Sequence, residues 1–258
     1  MTNIIRLNEA INDYLSRPVI TQLGEALIAF NASTHITELG SKSEILPSDI
    51  LIDGSYGQST PNPFITKVGA GTATVKSDSN GSYVSFNNCG FRAGESATIF
   101  NYDKSKSVLL VCKFRITKIA EVTAGALFTS RIFSINAGFP LITLSVTLFG
   151  TVKHLSVSVS PTEVSLGEAV AGKVYTMAIL RTPTQCKVLT AETIQNAGPV
   201  GLLTGDQINI AGMGLNARST NLGTDGTTPL SNTDIFSCEL YGNGDWSDAQ
   251  IQNYLATL

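Results

Sequence analysis

The sequence predicts a mainly β protein, an antiparallel β-sandwich, on three observations. From about residue 64 onward, short apolar runs are separated by turn residues such as Asn80-Gly81 at intervals of about 8–12 residues. Within 142–148 and 155–159, apolar and polar residues alternate, which is typical of antiparallel strands with one solvated face. No long helical pattern interrupts the series, so folds built from βαβ units are excluded.

The apolar runs between the turn signals are each predicted to form a strand. No repeat with a period of about 20–50 residues is visible, which argues against a propeller or a solenoid. The predicted strands are 64–69, 72–77, 82–87, 107–116, 126–135, 141–149, 152–160, 173–181, 185–190, 207–214 and 234–241.

Residues 1–57 follow a different pattern and are predicted to form a helical N-terminal assembly or docking region with a connector, ahead of a sandwich at 58–258. Apolar residues recur at helical spacing in two runs on either side of Pro18, which ends the first helix. Helices this short need a partner for their apolar stripes, and both the sandwich and a neighbouring subunit or other protein fit that need. The stripe residues are Leu7, Ile11 and Leu15 in the first helix and Leu23, Leu27 and Phe30 in the second.

The C-terminal segment carries a helix start signal. Ser247 is placed as an N-cap, and Gln250 three residues later completes a capping box. Trp246 and Ile251 flank the cap as a hydrophobic staple. The pattern therefore predicts a short C-terminal helix over 248–256.

This ending, Trp246-Ser247-Asp248-Ala249-Gln250-Ile251, resembles the close of laminin-G-like, concanavalin-A-like jelly rolls. The stretches 83–86 and 172–178 resemble strands of that family in matching order. In the second stretch Val174-Tyr175-Thr176 replaces the family's aromatic and histidine residues, so the match there is one of pattern. The resemblance covers about 64–258 and implies an antiparallel jelly-roll β-sandwich.

Composition narrows the functional classes. Charged residues make up 14% of the chain, against about 25% in an average protein. With 17 Lys and Arg against 20 Asp and Glu, the net charge is −3, so nucleic-acid binding is not expected. The N-terminus lacks a signal-peptide pattern, and no apolar run reaches the roughly 18 residues that a membrane span needs, so we expect no membrane insertion.

The sequence offers little catalytic chemistry. Its two histidines, His35 and His154, are far apart in the chain, so a histidine-based triad or metal site is not expected. The nearest acidic pair of the β region, Glu163 and Glu168, flanks Gly167 in a predicted turn. No paired-carboxylate strand or phosphate-binding loop is found, and we expect that the protein is not an enzyme.

No cofactor is expected, although calcium stays open because loops carry Asp and Asn residues that could supply oxygen ligands. The four cysteines have no metal-ligand spacing. They are predicted to be buried free thiols, with one or two disulfides as the alternative. The long polar loop 215–234 is the candidate glycan-binding loop, and the alternative for it is a solvated or subunit-facing loop. Its candidate residues are Asn216, Arg218, Asn221 and Asp225.

A helical region ahead of such a jelly roll, with low charge and no signal peptide, resembles the architecture of tailed-phage fibres and virion adhesins. This resemblance implies a structural or attachment protein of a virion, extracellular after release. Its partners would be itself as a homotrimer, other virion proteins and a host surface glycan. One alternative is a free-standing carbohydrate-binding module, and a polysaccharide-degrading enzyme is the least favoured.

Overall fold

Two large antiparallel sheets packed face to face form the protein, which confirms the predicted β-sandwich. The computed structural model describes residues 19–33, 42–50, 52–54, 64–93, 100–120, 129–136, 140–159, 162–200, 207–210, 212–217 and 230–258. In chain order the elements are β1 (Ile20–Thr21), β2 (Gly24–Glu25), β3 (Ile28–Asn31), a 3-10 turn (Pro47–Asp49), β4 (Phe64–Val68), β5 (Thr72–Asp78), β6 (Gly81–Asn87), β7 (Gly90–Ala93), β8 (Phe100–Asp103), β9 (Ser107–Lys118), β10 (Thr129–Asn136), β11 (Pro140–Phe149), β12 (Val152–Val159), β13 (Thr162–Glu168), β14 (Val174–Arg181), β15 (Gln185–Leu189), β16 (Ile194–Pro199), β17 (Gln207–Ile210), β18 (Gly212–Leu215), β19 (Asn232–Gly244) and α1 (Asp248–Leu255).

The seven-stranded sheet has the order β13-β12-β11-β10-β18-β7-β4. The eight-stranded sheet has the order β16-β15-β14-β9-β19-β6-β5, and β3 also pairs with β19. Two small two-stranded sheets, β1-β2 and β8-β17, complete the described strands. Each of the eleven predicted strand regions contains an observed strand.

The main core lies between the two large sheets, because alternate side chains of each strand point inward. Two edge-to-face aromatic pairs join the sheets across it. Phe86 and Phe91 have ring centroids 5.0 Å apart, and Phe114 and Phe133 have theirs 6.0 Å apart. Such pairs add about 0.5–1.5 kcal/mol each to the area burial that holds the sheets together.

A second apolar cluster covers the outward face of the eight-stranded sheet. Leu109 and Leu180 of that sheet contribute to it, together with Leu23 from the β1–β2 hairpin and Ile251 and Leu255 from α1. This sheet is therefore buried on both faces around its centre, which explains why β9 and β14 are nearly continuous apolar runs.

The predicted second N-terminal helix is wrong, since residues 20–31 form β1, β2 and β3. Gly24 has a φ of +103°, which interrupts any helix. Ile28 and Phe30 then point into the main core while Ala29 joins the second cluster, an alternation of period two.

The residues predicted for oligomerisation in this run pack within the chain instead. Leu23 and Phe30 are buried, and Leu27 packs against the main core. Because β3 pairs with β19, the predicted boundary at residue 57 does not separate this segment from the sandwich. The other three predicted stripe residues, Leu7, Ile11 and Leu15, lie outside the described residues.

The C-terminal helix begins as predicted. The Ser247 hydroxyl accepts a hydrogen bond from the Gln250 backbone N–H at 3.2 Å, and the Gln250 side chain accepts one from the Ser247 N–H at 3.0 Å. Trp246 donates from Nε1 to the Leu23 carbonyl at 2.7 Å, and it packs in the cluster that holds Ile251. None of the helices in the described ranges is long and apolar enough to cross a membrane.

The four cysteines are free and buried, which confirms the prediction of unpaired thiols. Cys112 and Cys238 lie opposite each other on β9 and β19. Burial raises the pKa of the Cys89 thiol to about 11 and that of Cys186 to about 12, and it also raises the pKa values of Cys112 and Cys238 well above the ordinary thiol value. At neutral pH all four are therefore inert packing groups.

Candidate functional site

The outward face of strands β10 to β13 is lined by hydroxyl groups. On β11, Ile142, Leu144 and Val146 enter the core, so Thr143 and Ser145 point to the opposite side. The cross-strand register places serines of β10, β12 and β13 beside them. We call this surface the hydroxyl face; it consists of Ser134, Thr143, Ser145, Thr147, Ser156, Ser158, Glu163 and Ser165.

A hydrogen-bonded cluster at the centre of the hydroxyl face holds one carboxylate. The Ser156 hydroxyl lies 3.0 Å from that of Ser145 and 2.9 Å from that of Thr147. Thr147 and Ser156 both donate to Oε1 of Glu163, at 2.7 and 3.0 Å. Hydrogen bonds to a carboxylate are stronger than neutral ones, so the cluster fixes the position of Glu163 at the edge of the sheet.

One hydroxyl of this face is buried without a partner. The Thr143 side chain is 2% exposed, and its Oγ1 makes no hydrogen bond to any residue that the structure describes. A buried hydroxyl without a partner costs about 1–3 kcal/mol. Because this hydroxyl is closed off from solvent, its cost falls on the folded protein.

An exposed aromatic ring stands at one end of the hydroxyl face. Phe149 is 36% exposed, and its ring lies 5.4 Å from that of His154. His154 hydrogen bonds through Nδ1 to the Ser165 hydroxyl. Val152, opposite Phe149, is also exposed, so this end of the sheet presents an apolar tip beside polar groups.

Ser134, Thr143, Ser145, Thr147 and Ser156 are buried, so the part of the hydroxyl face that a ligand can reach consists of Ser158, Glu163 and Ser165, with Phe149 at its end. Each Ser or Thr hydroxyl both donates and accepts, and the exposed Phe149 ring offers an apolar surface. Sugars combine these two features, because their hydroxyls surround faces of C–H groups. The sequence predicts the alternating polar residues of β11 and β12, and it predicts that Glu163 lies in a turn. In the structure Glu163 lies on β13 instead.

Asn216, predicted to bind a glycan, is a structural residue. It is fully buried, its Nδ2 donates to the carbonyls of Cys89 and Ser231 at 2.7 and 2.9 Å, and its Oδ1 accepts from the Thr233 hydroxyl at 2.9 Å. With these groups satisfied, it is not available to a ligand, and the prediction for this residue is wrong. The other three loop residues, Arg218, Asn221 and Asp225, lie outside the described residues.

Replacing Asn216 by Ala is expected to lower the free energy of unfolding by about 2–3 kcal/mol, because three buried hydrogen bonds lose one partner. Asn88→Ala is the matched control, since Asn88 has nearly the same φ, +49° against +48°, but an exposed side chain. Urea denaturation of both variants measures the contribution of the buried hydrogen bonds to the free energy of unfolding separately from that of the left-handed backbone conformation. Equal losses would show that only the left-handed conformation matters.

The described residues contain no group of three or more His, Cys, Asp or Glu side chains arranged to hold a metal ion. Two carboxylates that could supply oxygen ligands to calcium, Asp78 at the end of β5 and Asp245 after β19, are engaged by cations. Asp78 binds Arg115 at 2.7 Å, and Asp245 binds Lys106 at 2.8 Å.

No protein-family model matches this chain, and no curated protein matches it either. Among solved structures it is similar to domain 4 of AbnA, a GH43 extracellular arabinanase from Geobacillus stearothermophilus, in complex with arabinotriose. The TM-score is 0.51 at 14% identity, over 88% of this chain and 97% of that one. The binding domain of botulinum neurotoxin serotype G gives a TM-score of 0.53 at 11% identity, over 90% of this chain and 51% of that one. Similarities at these identities show the β-sandwich fold alone.

Proposed function

We propose that this protein is a non-enzymatic attachment protein that binds a glycan on its hydroxyl face and is carried on a virion. The observation that supports glycan binding most directly is the exposed Phe149 ring, which lies beside the accessible polar groups of His154, Glu163 and Ser165. Ligand sites bring a few placed polar groups together with apolar surface, and this face offers both.

The solved structure of the arabinanase domain with arabinotriose gives a precedent for a sugar complex on a β-sandwich of this kind. That complex belongs to the arabinanase, and for this chain it motivates only the choice of ligand class. For this chain the proposal rests on the exposed Phe149 ring and the accessible polar side chains beside it.

The virion assignment rests on the sequence. Charged residues are 14% of the chain, whereas the helical region on which the resemblance to phage fibres depended is replaced by strands over residues 20–31. A low charge suits a protein that buries surface against copies of itself or against other virion proteins. We propose a homotrimer as the assembled form.

Two alternatives have different requirements. A free-standing carbohydrate-binding module would use the same hydroxyl face as a monomer. A polysaccharide-degrading enzyme that hydrolyses glycosides would need two carboxylates flanking the scissile bond. Release of new reducing ends from a polysaccharide would support the enzyme over the binding protein.

Thr143→Val is expected to leave glycan binding unchanged, because the side chain is only 2% exposed, and to stabilise the free protein by about 1 kcal/mol, because a methyl group replaces a buried hydroxyl without a partner. Calorimetric titration with arabinan and bacterial-polysaccharide oligosaccharides measures the first effect, and urea denaturation measures the second. Thr233→Val is the matched control, since that buried hydroxyl donates to Asn216 and its loss should destabilise the protein.

Phe149→Ala should lower the affinity for the same oligosaccharides by roughly 3- to 10-fold, because the exposed ring is lost. Ile194→Ala, at an exposed site on the other sheet, should leave binding unchanged. Oligosaccharide binding that Phe149→Ala does not alter would exclude the hydroxyl face as the site.

The native mass of the full chain tests the assembly. A trimer by light scattering supports the virion-type oligomer. A monomer at all concentrations contradicts the homotrimer and favours the free-standing module.

A further inference from the structure

Two Asn-Gly pairs stand in the sequence, Asn80-Gly81 at the β5–β6 turn and Asn243-Gly244 at the end of β19. The backbone nitrogen that follows an asparagine can attack the side-chain amide carbon, and glycine leaves this approach open because it has no Cβ. Asparagine is therefore one of the thermolabile residues of proteins. Since glycine follows asparagine in both pairs, a difference in their reactivity would come from the fold around them.

The Asn80-Gly81 pair lies at the tip of an exposed hairpin. Only Ser79 and Asn80 join β5 to β6, with Asp78 opposite Gly81 in the register. Asn80 and Gly81 are both exposed, and Gly81 has a φ of +116°, which glycine adopts without strain. A Cβ atom placed on Gly81 would approach the Phe236 ring no closer than 3.9 Å. The space around the Gly81 backbone is therefore open.

The Asn243-Gly244 pair is held in place. Oδ1 of Asn243 accepts a hydrogen bond from the Asp103 backbone N–H at 3.0 Å, which keeps the side chain against β8. The Trp246 ring packs on Gly244, where a Cβ atom would come within 2.2 Å of a ring carbon. The ring itself is fixed by its hydrogen bond to the Leu23 carbonyl at 2.7 Å. To reach the Gly244 nitrogen, the Asn243 side chain must leave β8 and disturb this packing.

The Asp78 carboxylate is the charged neighbour of Asn80. Oδ1 of Asp78 accepts a hydrogen bond from the Asn80 backbone N–H at 2.7 Å, and Oδ2 binds Arg115 at 2.7 Å. These two contacts, with a further one from the Asn80 side-chain amide, hold the pKa of Asp78 below its ordinary value. The carboxylate is therefore charged at neutral pH. An amide at residue 80 is compatible with it, whereas a second carboxylate there would repel it.

We propose that Asn80 is a site of spontaneous deamidation, which makes the β5–β6 turn more negative and loosens the hairpin. The Gly81 nitrogen loses its proton as it forms a bond to Cγ of Asn80, and the Cγ–Nδ2 bond breaks, so ammonia leaves with that proton. Water then opens the cyclic imide at either carbonyl and gives aspartate or isoaspartate, with no oxidant or reductant. Isoaspartate also adds a carbon to the backbone of a two-residue turn. The modification does not depend on glycan binding.

Peptide mass spectrometry of the full chain, aged in mildly alkaline buffer, tests this proposal. Deamidation at Asn80 should be at least about tenfold faster than at Asn243, because the reaction at Asn243 must break a hydrogen bond and displace a packed ring. In urea, where the fold is lost, the two rates should converge. The Asn80→Ser variant, changed at an exposed position, should stay unmodified at this turn while Asn243 reacts as in the wild type.

Hydrogen exchange of the aged protein tests the effect on the hairpin. The amides of β5 should exchange several-fold faster than in the fresh protein, and Asn80→Asp should reproduce part of this increase without ageing. Equal rates at Asn80 and Asn243 in the folded chain would overturn the proposal, as would an intact Asn80 under conditions in which the urea-unfolded chain reacts. Unchanged exchange of β5 in the fully deamidated protein would overturn the loosening of the hairpin.

Discussion

Raising the pH above 9 is expected to destabilise this protein steeply. The ordinary thiol pKa is 9.0, whereas burial raises the pKa of Cys89 to about 11 and that of Cys186 to about 12 in the folded protein. Burial also raises the pKa values of the Cys112 and Cys238 thiols. Above pH 9 the unfolded chain therefore releases thiol protons that the folded chain keeps, and the free energy of unfolding falls as the pH rises.

The free energy of unfolding is expected to fall by about 1.4 kcal/mol per pH unit for each thiol, or by about 5 kcal/mol per pH unit for the four thiols together. All four thiols contribute to this pH dependence up to about pH 11, because the Cys89 thiol of the folded protein has a pKa of about 11 and ionises there. The buried hydroxyls of Tyr241 and Tyr254 add to it at higher pH, because burial and the adjacent Glu239 raise their pKa values above 10.0.

Urea denaturation across pH 8 to 11 measures this slope, and Cys238→Ala provides the comparison. The variant loses some packing at every pH, but its slope should be about one quarter smaller than that of the wild type. If both slopes agreed, thiol ionisation would not be the cause.

Phe30→Ala is expected to lower the free energy of unfolding by about 3–5 kcal/mol, because it removes a ring from the main core. The side chain is 2% exposed, and β3 carries it against β19. Ile20→Ala is the control from the same segment: Ile20 is 75% exposed, so its loss should cost less than about 0.5 kcal/mol.

Chemical denaturation and native mass together decide how Phe30 acts. A large loss of stability at unchanged mass supports the core position. A smaller native mass with unchanged stability would instead restore the oligomerisation role that helical spacing suggested.

The sequence predicts most of the strands because their signal is local. Alternation in β11 and β12 and the capping box of α1 depend on neighbours within a few residues. From residue 64 onward, four observed strands, β7, β8, β13 and β16, lie outside the predicted runs. Of these, β13 contains Gly167, which indicates a turn, and β16 contains Gly198 and Pro199, which are uncommon within strands. Both strands lie at sheet edges, where glycine and proline are tolerated.

The N-terminal error has a different cause. Leu23, Leu27 and Phe30 fit helical spacing, and a short apolar run such as Ile28-Ala29-Phe30 does not distinguish helix from strand. The segment is a strand because Ile28 pairs with Leu240 and Phe30 pairs with Cys238, more than 200 residues away in the chain. No local pattern contains that information, so tertiary contact overrides the spacing.

Sequence also misjudged the candidate site, because residue type does not reveal burial. Asn216 was assigned to a binding loop for its polarity, yet its amide closes a network with Cys89, Ser231 and Thr233. For Ser145 and Ser156, the alternation of residue types predicts their position on a polar strand face. It does not predict the hydrogen bonds that they form around Glu163.

The position of β19 in the eight-stranded sheet has a consequence for folding order. This strand pairs with β9, β6 and β3, whose partners in it lie more than 100 residues away in the chain. Contacts so distant in sequence close late and slow the search for the native state. During synthesis, β9 and β6 must therefore wait with an open edge until the last strand emerges, and this interval is when strand-to-strand aggregation competes most strongly with folding.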